Sequence, residues 1–214
     1  YTVHYRSLGD TGQHSLTDEV ADLCKQHAYT GIDMAEPGEW RLEQDFLQMA
    51  KTSGIKLRLL EDSHYLCSRA EFAKWASGYK QMRMEYFYRE MRKRTGVLMD
   101  GSEPAGGKWN FDADNRSAFP KTGPGDITPP EYFEPDEITR QVFAEVEKYF
   151  PDHPGSLANF QWPVTRKQAL QALDTFIENR FANFGAYQDA MWTHTPFGWH
   201  SLVSSSINLH LLHP

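Results

Sequence analysis

Apolar positions recur along this chain with two spacings. In Tyr1-Thr2-Val3-His4-Tyr5 they alternate among β-favouring residues, which predicts a strand. Ser15, followed three residues later by Asp18 and then by apolar Val20 and Leu23, has the form of a capped helix start and predicts a helix to about Gln26. Thr30 to Ala35 is a short strand candidate, broken by Glu36-Pro37-Gly38. Trp40 to Ser53 returns to helical spacing with Leu42, Phe46, Leu47 and Met49 expected inward, and Gly54 marks its end. Ile55 to Leu60 alternates again. The order β-α-β-α-β over these residues implies a parallel sheet with helices on its faces.

Ser68 to Thr95 has helical spacing, interrupted near Gly78. Its second half is unusual: Lys80, Arg83, Arg89, Arg92, Lys93 and Arg94 stand against two acidic residues, with Met82, Met84, Tyr86, Phe87, Tyr88 and Met91 interleaved. A basic, aromatic-studded helix can grip a phosphate backbone. The plainer reading is a helix between domains, with a solvated basic side and aromatics in the cores. Asp100 to Asp136 then changes texture, with five glycines and six prolines and no apolar period, as in a linker or functional loop. Within it, Gly107-Lys108-Trp109-Asn110-Phe111-Asp112 is too rich in specific side chains for a spacer, so Trp109 and Phe111 are expected to be buried in a groove. From Ile138 the spacing is helical once more. Ile138, Val142, Val146 and Tyr149 align on one helix. Thr165, with Gln168 three residues on, caps a second that runs through Ala169, Leu173, Phe176 and Ile177 to about Phe181.

Composition narrows the possibilities. The 214 residues carry 29 acidic and 22 basic side chains, a net charge of −7, which argues against a chain coated in nucleic acid but leaves room for a local basic patch. No apolar run is long enough to cross a membrane as a helix. Two cysteines, Cys24 and Cys67, exclude a disulfide scaffold and any four-cysteine metal site within these residues.

Several sites can be rejected on spacing. Gly101 to Lys108 resembles a phosphate-binding P-loop, but its lysine falls one residue late and Trp109 replaces the metal-binding hydroxyl. There is no GxGxxG and no GxSxG elbow. His194, His200, His210 and His213 lack a carboxylate at ligand spacing, so no metal site is expected. Glu36 to Trp40 lies at the carboxyl end of a strand, where open sheets bind ligands; a tight turn feeding a helix explains the same residues. Tyr187 to Pro214 keeps two readings open. Ser201 and Ser204, three apart at a helix start, could donate to a phosphate or could simply cap the helix.

Four segments carry a resemblance: Met82 to Arg92, Gly106-Gly107-Lys108-Trp109-Asn110-Phe111-Asp112, Trp162-Pro163-Val164-Thr165-Arg166, and Phe184-Gly185 with Tyr187-Gln188-Asp189-Ala190-Met191. In this order they resemble the bacterial iron–sulfur cryptochrome/photolyase family, the photolyase-related proteins that include prokaryotic (6-4) photolyases. The resemblance implies a Rossmann-like α/β antenna domain over 1–99, ending in the basic connecting helix, an interdomain loop over 100–137, and the start of an all-α FAD-binding domain over 138–214. It implies light-driven reversal of (6-4) photoproducts by electron transfer from reduced FAD, on UV-damaged DNA, by a monomeric bacterial cytoplasmic protein without membrane attachment. A 6,7-dimethyl-8-ribityllumazine antenna and a 4Fe–4S cluster belong to the same implication. Related proteins act as blue-light photoreceptors, and a non-enzymatic nucleic-acid-binding or scaffold role for the 79–94 helix is a further alternative.

Carried over residue by residue, the family's FAD phosphate run resembles His200-Ser201-Leu202-Val203-Ser204, with Tyr187 upstream. Tyr187, His200, Ser201, Leu202 and Ser204 are thus the expected FAD contacts. His200 replaces a threonine, Ser205 a common proline, and His210 a glycine. The chain is expected to be a piece of a longer protein, lacking a first antenna strand and the C-terminal half that holds the cluster cysteines. No catalytic residue is assigned within it.

Overall fold

The structure, a computed structural model, describes residues 2–7 and 15–213. These fall into two compact units, Tyr1–Ser68 and Arg69–Pro214.

The first unit is α/β. Helix α1 (Leu16–Gln26) starts at Ser15, whose hydroxyl accepts the Asp18 N–H at 3.1 Å. Strand β1 (Gly31–Ala35) and strand β2 (Lys56–Leu60) pair in parallel, Ile32 opposite Leu57 and Met34 opposite Leu59, with helix α2 (Trp40–Ser53) as the crossover. Gly54 closes α2 in the left-handed conformation (φ 73°) that a side chain would resist. Cys24, Phe46 and Met49 are buried. Leu47, expected inward, is exposed. Leu42, Phe46 and Met49 follow the i, i+4, i+7 line, and Leu47 lies one residue, about 100°, off it.

The sheet has two strands here, not three. Thr2 to Tyr5 carry no strand, and Tyr1 lies outside the described residues. Their alternation is that of a strand, but Val3 and Tyr5 are exposed. His4 instead docks by its side chain, its Nε2 3.0 Å from the Tyr29 hydroxyl and its ring 4.1 Å from that of His27. Propensity becomes a strand only where a sheet edge accepts it.

The second unit is largely helical. Helices α3 (Arg69–Ala76) and α4 (Met84–Thr95) replace one long helix, with the break spanning residues 77–83. Phe72, Trp75 and Phe87 meet at ring-centroid distances of 5.0–5.7 Å and join the two helices. A minimal hairpin, β3 (Met99–Asp100) with β4 (Glu103–Pro104), opens the loop. The loop then runs without regular strands or α-helices to α5 (Glu137–Tyr149).

Asp136 caps α5, accepting from the Thr139 N–H at 2.8 Å. The side of α5 that packs inward carries Thr139 and Phe143, whose ring meets Phe160 at 5.4 Å. Ile138, Val142 and Tyr149, expected as the core stripe, are exposed, Ile138 at 70%. Helix α6 (Arg166–Asn179) begins with the expected capping box of Thr165 and Gln168. It ends two residues early, because the chain turns at Arg180 into α7 (Phe181–Tyr187). The last helix, α8 (Ser204–Asn208), is a single short turn region.

Candidate functional site

Helix α4 presents the basic residues that suggested a phosphate grip, and most are engaged within the protein. Trp109 receives three cations: the Arg92 guanidinium at 5.2 Å, and Arg89 and Lys93 at 5.5 Å each from its ring centroid. Arg92 is only 5% exposed; it lies between Trp109 and Tyr88 and donates to the Leu98 carbonyl. Arg89 pairs with Glu85, and Arg94 with Glu71 at 2.7 Å. The Trp109 ring is half-buried by this cage, whereas Phe111 stays 41% exposed, contrary to the expectation that both would be buried. Phe111 instead borders an open groove of about 510 Å3 together with Trp109, Asn110 and Asp112.

The segment from His200 to Ser206 behaves differently. Helix α8 has Val203 at its N-cap, with no side-chain cap hydrogen bond. Among the described residues, neither the Ser201 nor the Ser204 hydroxyl has a partner, so neither serine is a helix cap. Leu202 holds φ at 61°, a left-handed conformation that branched and bulky side chains avoid. His210, at the expected glycine position, also sits in the left-handed region (φ 57°), so the backbone keeps the glycine-type turn with a histidine in it. The first N–H groups of α8 and the two hydroxyls are hydrogen-bond donors close together in the chain.

The five expected contacts divide between two grooves and an outer position. Leu202 and Ser204 line a groove of about 320 Å3 with Ser205, Phe160, Trp162 and Val164. Tyr187 lines another, about 490 Å3, with Asn183, Trp199 and the loop Phe119–Gly125. His200 is exposed, its ring 6.3 Å from Phe184. Ser201 is half-buried beside Leu202 and lines neither groove.

At the strand end of the first unit, Glu39 is paired with Arg41, Pro37 is buried, and the Glu36 N–H donates to the Leu60 carbonyl at 2.8 Å. These contacts suit the turn reading of Glu36 to Trp40.

Two features had no signal in the sequence. Arg180 is 2% exposed, and among the described residues its Nε and Nη1 have no hydrogen-bond partner. Burial pushes its guanidinium down, while the nearby Tyr132 acts in the opposite direction more weakly. The Trp199 indole N–H is likewise buried without a hydrogen-bond partner among the described residues. An arginine at a helix end and a tryptophan in an aromatic run give no hint of either state. No group of three or more His, Cys, Asp or Glu among the described residues is placed to hold a metal ion.

Comparison with known proteins specifies the class of protein to which these units belong. The profile of the deoxyribodipyrimidine photo-lyase-related protein family matches residues 1–162. Over 216 aligned residues the chain is 44% identical to a (6-4) photolyase of Agrobacterium fabrum, covering 99% of this chain and 42% of that protein. An uncharacterised protein of Acanthamoeba polyphaga mimivirus is 25% identical over 124 residues, 56% of this chain and 61% of its own. The chain belongs to the deoxyribodipyrimidine photolyase-related family. It spans less than half the length of the Agrobacterium photolyase.

Proposed function

We propose that this chain is part of a light-driven, FAD-dependent enzyme that reverses (6-4) photoproducts in UV-damaged DNA, and that Tyr187, His200, Ser201, Leu202 and Ser204 hold the phosphates and ribose of the flavin nucleotide. The first unit is read as part of a Rossmann-like antenna domain and the helical unit as the start of the FAD-binding domain. The observation that carries the site is that Ser201 and Ser204 cap nothing and have no partner among the described residues, so both hydroxyls are available to donate to a phosphate. The donor set therefore fits the diphosphate end of FAD. When bound, reduced FAD supplies on illumination the electron that opens the lesion. The five residues of this chain would bind and orient the nucleotide.

A 4Fe–4S cluster does not fit these residues. It needs four thiolates, and the chain has two cysteines, one of them buried. Any cluster would be held by residues outside this sequence, as would the isoalloxazine ring. A lumazine antenna belongs to the proposal through the α/β unit alone, with no residue of this chain assigned to it. The reading of 79–94 as an independent nucleic-acid-binding helix loses support, because Arg89, Arg92, Lys93 and Arg94 have intramolecular partners.

The test is a protein extended to the length of the Agrobacterium relative, purified and examined for a flavin spectrum and for (6-4) lesion repair under blue light. Flavin with repair supports the enzyme. Flavin photoreduction without repair makes it a photoreceptor, and a colourless, inactive protein overturns both.

A further inference from the structure

Residues 162–166 form one of the segments that carry the resemblance, but they include none of the expected flavin contacts. They meet the segment that holds Ser201 and Ser204 at three places. The Trp162 ring packs edge-on against Phe197, centroids 5.7 Å apart. Trp162, Pro163 and Val164 line the 320 Å3 groove together with Leu202, Ser204 and Leu209. Arg166 then reaches a residue 45 positions further on: its Nη1 donates to the Leu211 carbonyl at 3.0 Å.

The helix to which Arg166 belongs gives no reason for an arginine there. Arg166 is the first residue of α6, at the positive end of the helix dipole, where a cation is unfavourable. Its backbone is fixed by the capping box, in which the Gln168 side-chain oxygen accepts the Val164 N–H at 2.9 Å and the Thr165 N–H at 3.2 Å. The side chain serves α8 instead. That helix has five residues, too few to be stable alone, so its conformation depends on what holds its ends. Past its carboxyl end the chain closes through His210 in the left-handed conformation, and the Ser206 carbonyl accepts the N–H groups of Leu211 and Leu212 at 2.9 and 3.2 Å. The Arg166 guanidinium binds the carbonyl of this closing turn, beside the helix end at which a cation is favoured. Ser204 opens the same short helix and Ser201 lies just before it, so a tether on the closing turn also constrains the two hydroxyls.

We propose that Arg166 is a positioning residue for the nucleotide site: by holding the Leu211 carbonyl it keeps α8 and residues 201–204 in the conformation that binds a phosphate, without itself contacting the phosphate. The inference rests on the flavin-nucleotide reading and gives residues 162–166 their part in it.

The test compares Arg166→Ala, Arg166→Lys and the Ser201→Ala with Ser204→Ala double variant in the protein extended to the length of the Agrobacterium relative. FAD is titrated into the flavin-free form of each at two salt concentrations, and the melting of that form is measured. The tether is a single exposed hydrogen bond, so Arg166→Ala is expected to raise the FAD dissociation constant about fivefold with melting unchanged. Arg166→Lys, which keeps a charged donor, should restore most of the affinity. The salt dependence of FAD binding should match the parent in both variants, because no charge that faces the phosphate is lost. A weaker salt dependence in Arg166→Ala would make the arginine a direct phosphate contact and overturn the positioning role. Lowered melting that accounts for the lost affinity, with no rescue by lysine, would overturn it as well. If the serine variant binds FAD weakly while Arg166→Ala binds at the parent's affinity, the phosphate assignment stands and the role of Arg166 falls. If the serine variant binds FAD as the parent does, the flavin-nucleotide reading of the turn falls, and this inference with it.

Discussion

Helix α4 carries Arg89, Arg92, Lys93 and Arg94 within six residues, and each has a partner inside the protein. Ser201 and Ser204, residues of a type that ordinarily caps helices, have none among the described residues. In α4 the density of charge is the means by which Trp109, and through it the start of the long loop, is held to the helix. Near α8 the hydroxyls do nothing for the local backbone. Residue type states what a side chain can do; the partners already present decide what it is left to do.

The strongest engagement of a basic residue in α4 is that of Arg92. Its guanidinium is buried between two rings and donates to Leu98, so Arg92→Ala should destabilise the second unit by about 2–4 kcal/mol in denaturant unfolding. A loss below about 1 kcal/mol would return α4 to the role of a solvated basic face. Arg180 sharpens the point with the opposite sign. It is buried as deeply and lies 5.9 Å from the Phe176 ring centroid, but among the described residues two of its nitrogens, against one of Arg92, have no hydrogen-bond partner, so Arg180→Met should be neutral or should stabilise by about 1–3 kcal/mol. Marked destabilisation by that substitution would show that the charge is compensated.

A smaller, pH-dependent effect belongs to Asp136. Hydrogen bonds from the Thr139 N–H and hydroxyl hold its carboxyl below the ordinary carboxylate value. Because the folded-state value is the lower one, the stabilisation is fully present above the unfolded value of about 3.9 and is lost as pH falls through the folded value. Asp136→Ala should melt below the parent chain at neutral pH, and the gap should narrow on acidification. A gap independent of pH would remove the charge from the cap.

The elements of the first unit could be read in the sequence because their signals are local. Ser15, Gly54 and the alternation of residues 55–60 each act within a few residues, as does the Thr165–Gln168 box in the second unit. What could not be read depends on a partner far along the chain. Thr2 to Tyr5 has strand spacing without a strand neighbour. The stripe of Ile138, Val142 and Tyr149 has core spacing but faces away from the core of its unit. In the candidate site, the resemblance named the residues but not the turn at His210, where a histidine in place of glycine nevertheless takes the left-handed conformation. The division of Tyr187 and Ser204 between two grooves was not legible either, because it depends on how the loop Phe119–Gly125 packs against α7.

The smallest stability effect, and the most direct test, is at the serines. Ser201→Ala with Ser204→Ala is introduced into the protein extended to the length of its Agrobacterium relative, and flavin occupancy and the melting temperature of the flavin-free form are measured together. Reduced occupancy with melting unchanged is expected, a stability difference within about 0.5 kcal/mol. Full occupancy with a lowered melting temperature would contradict this and make the two serines structural.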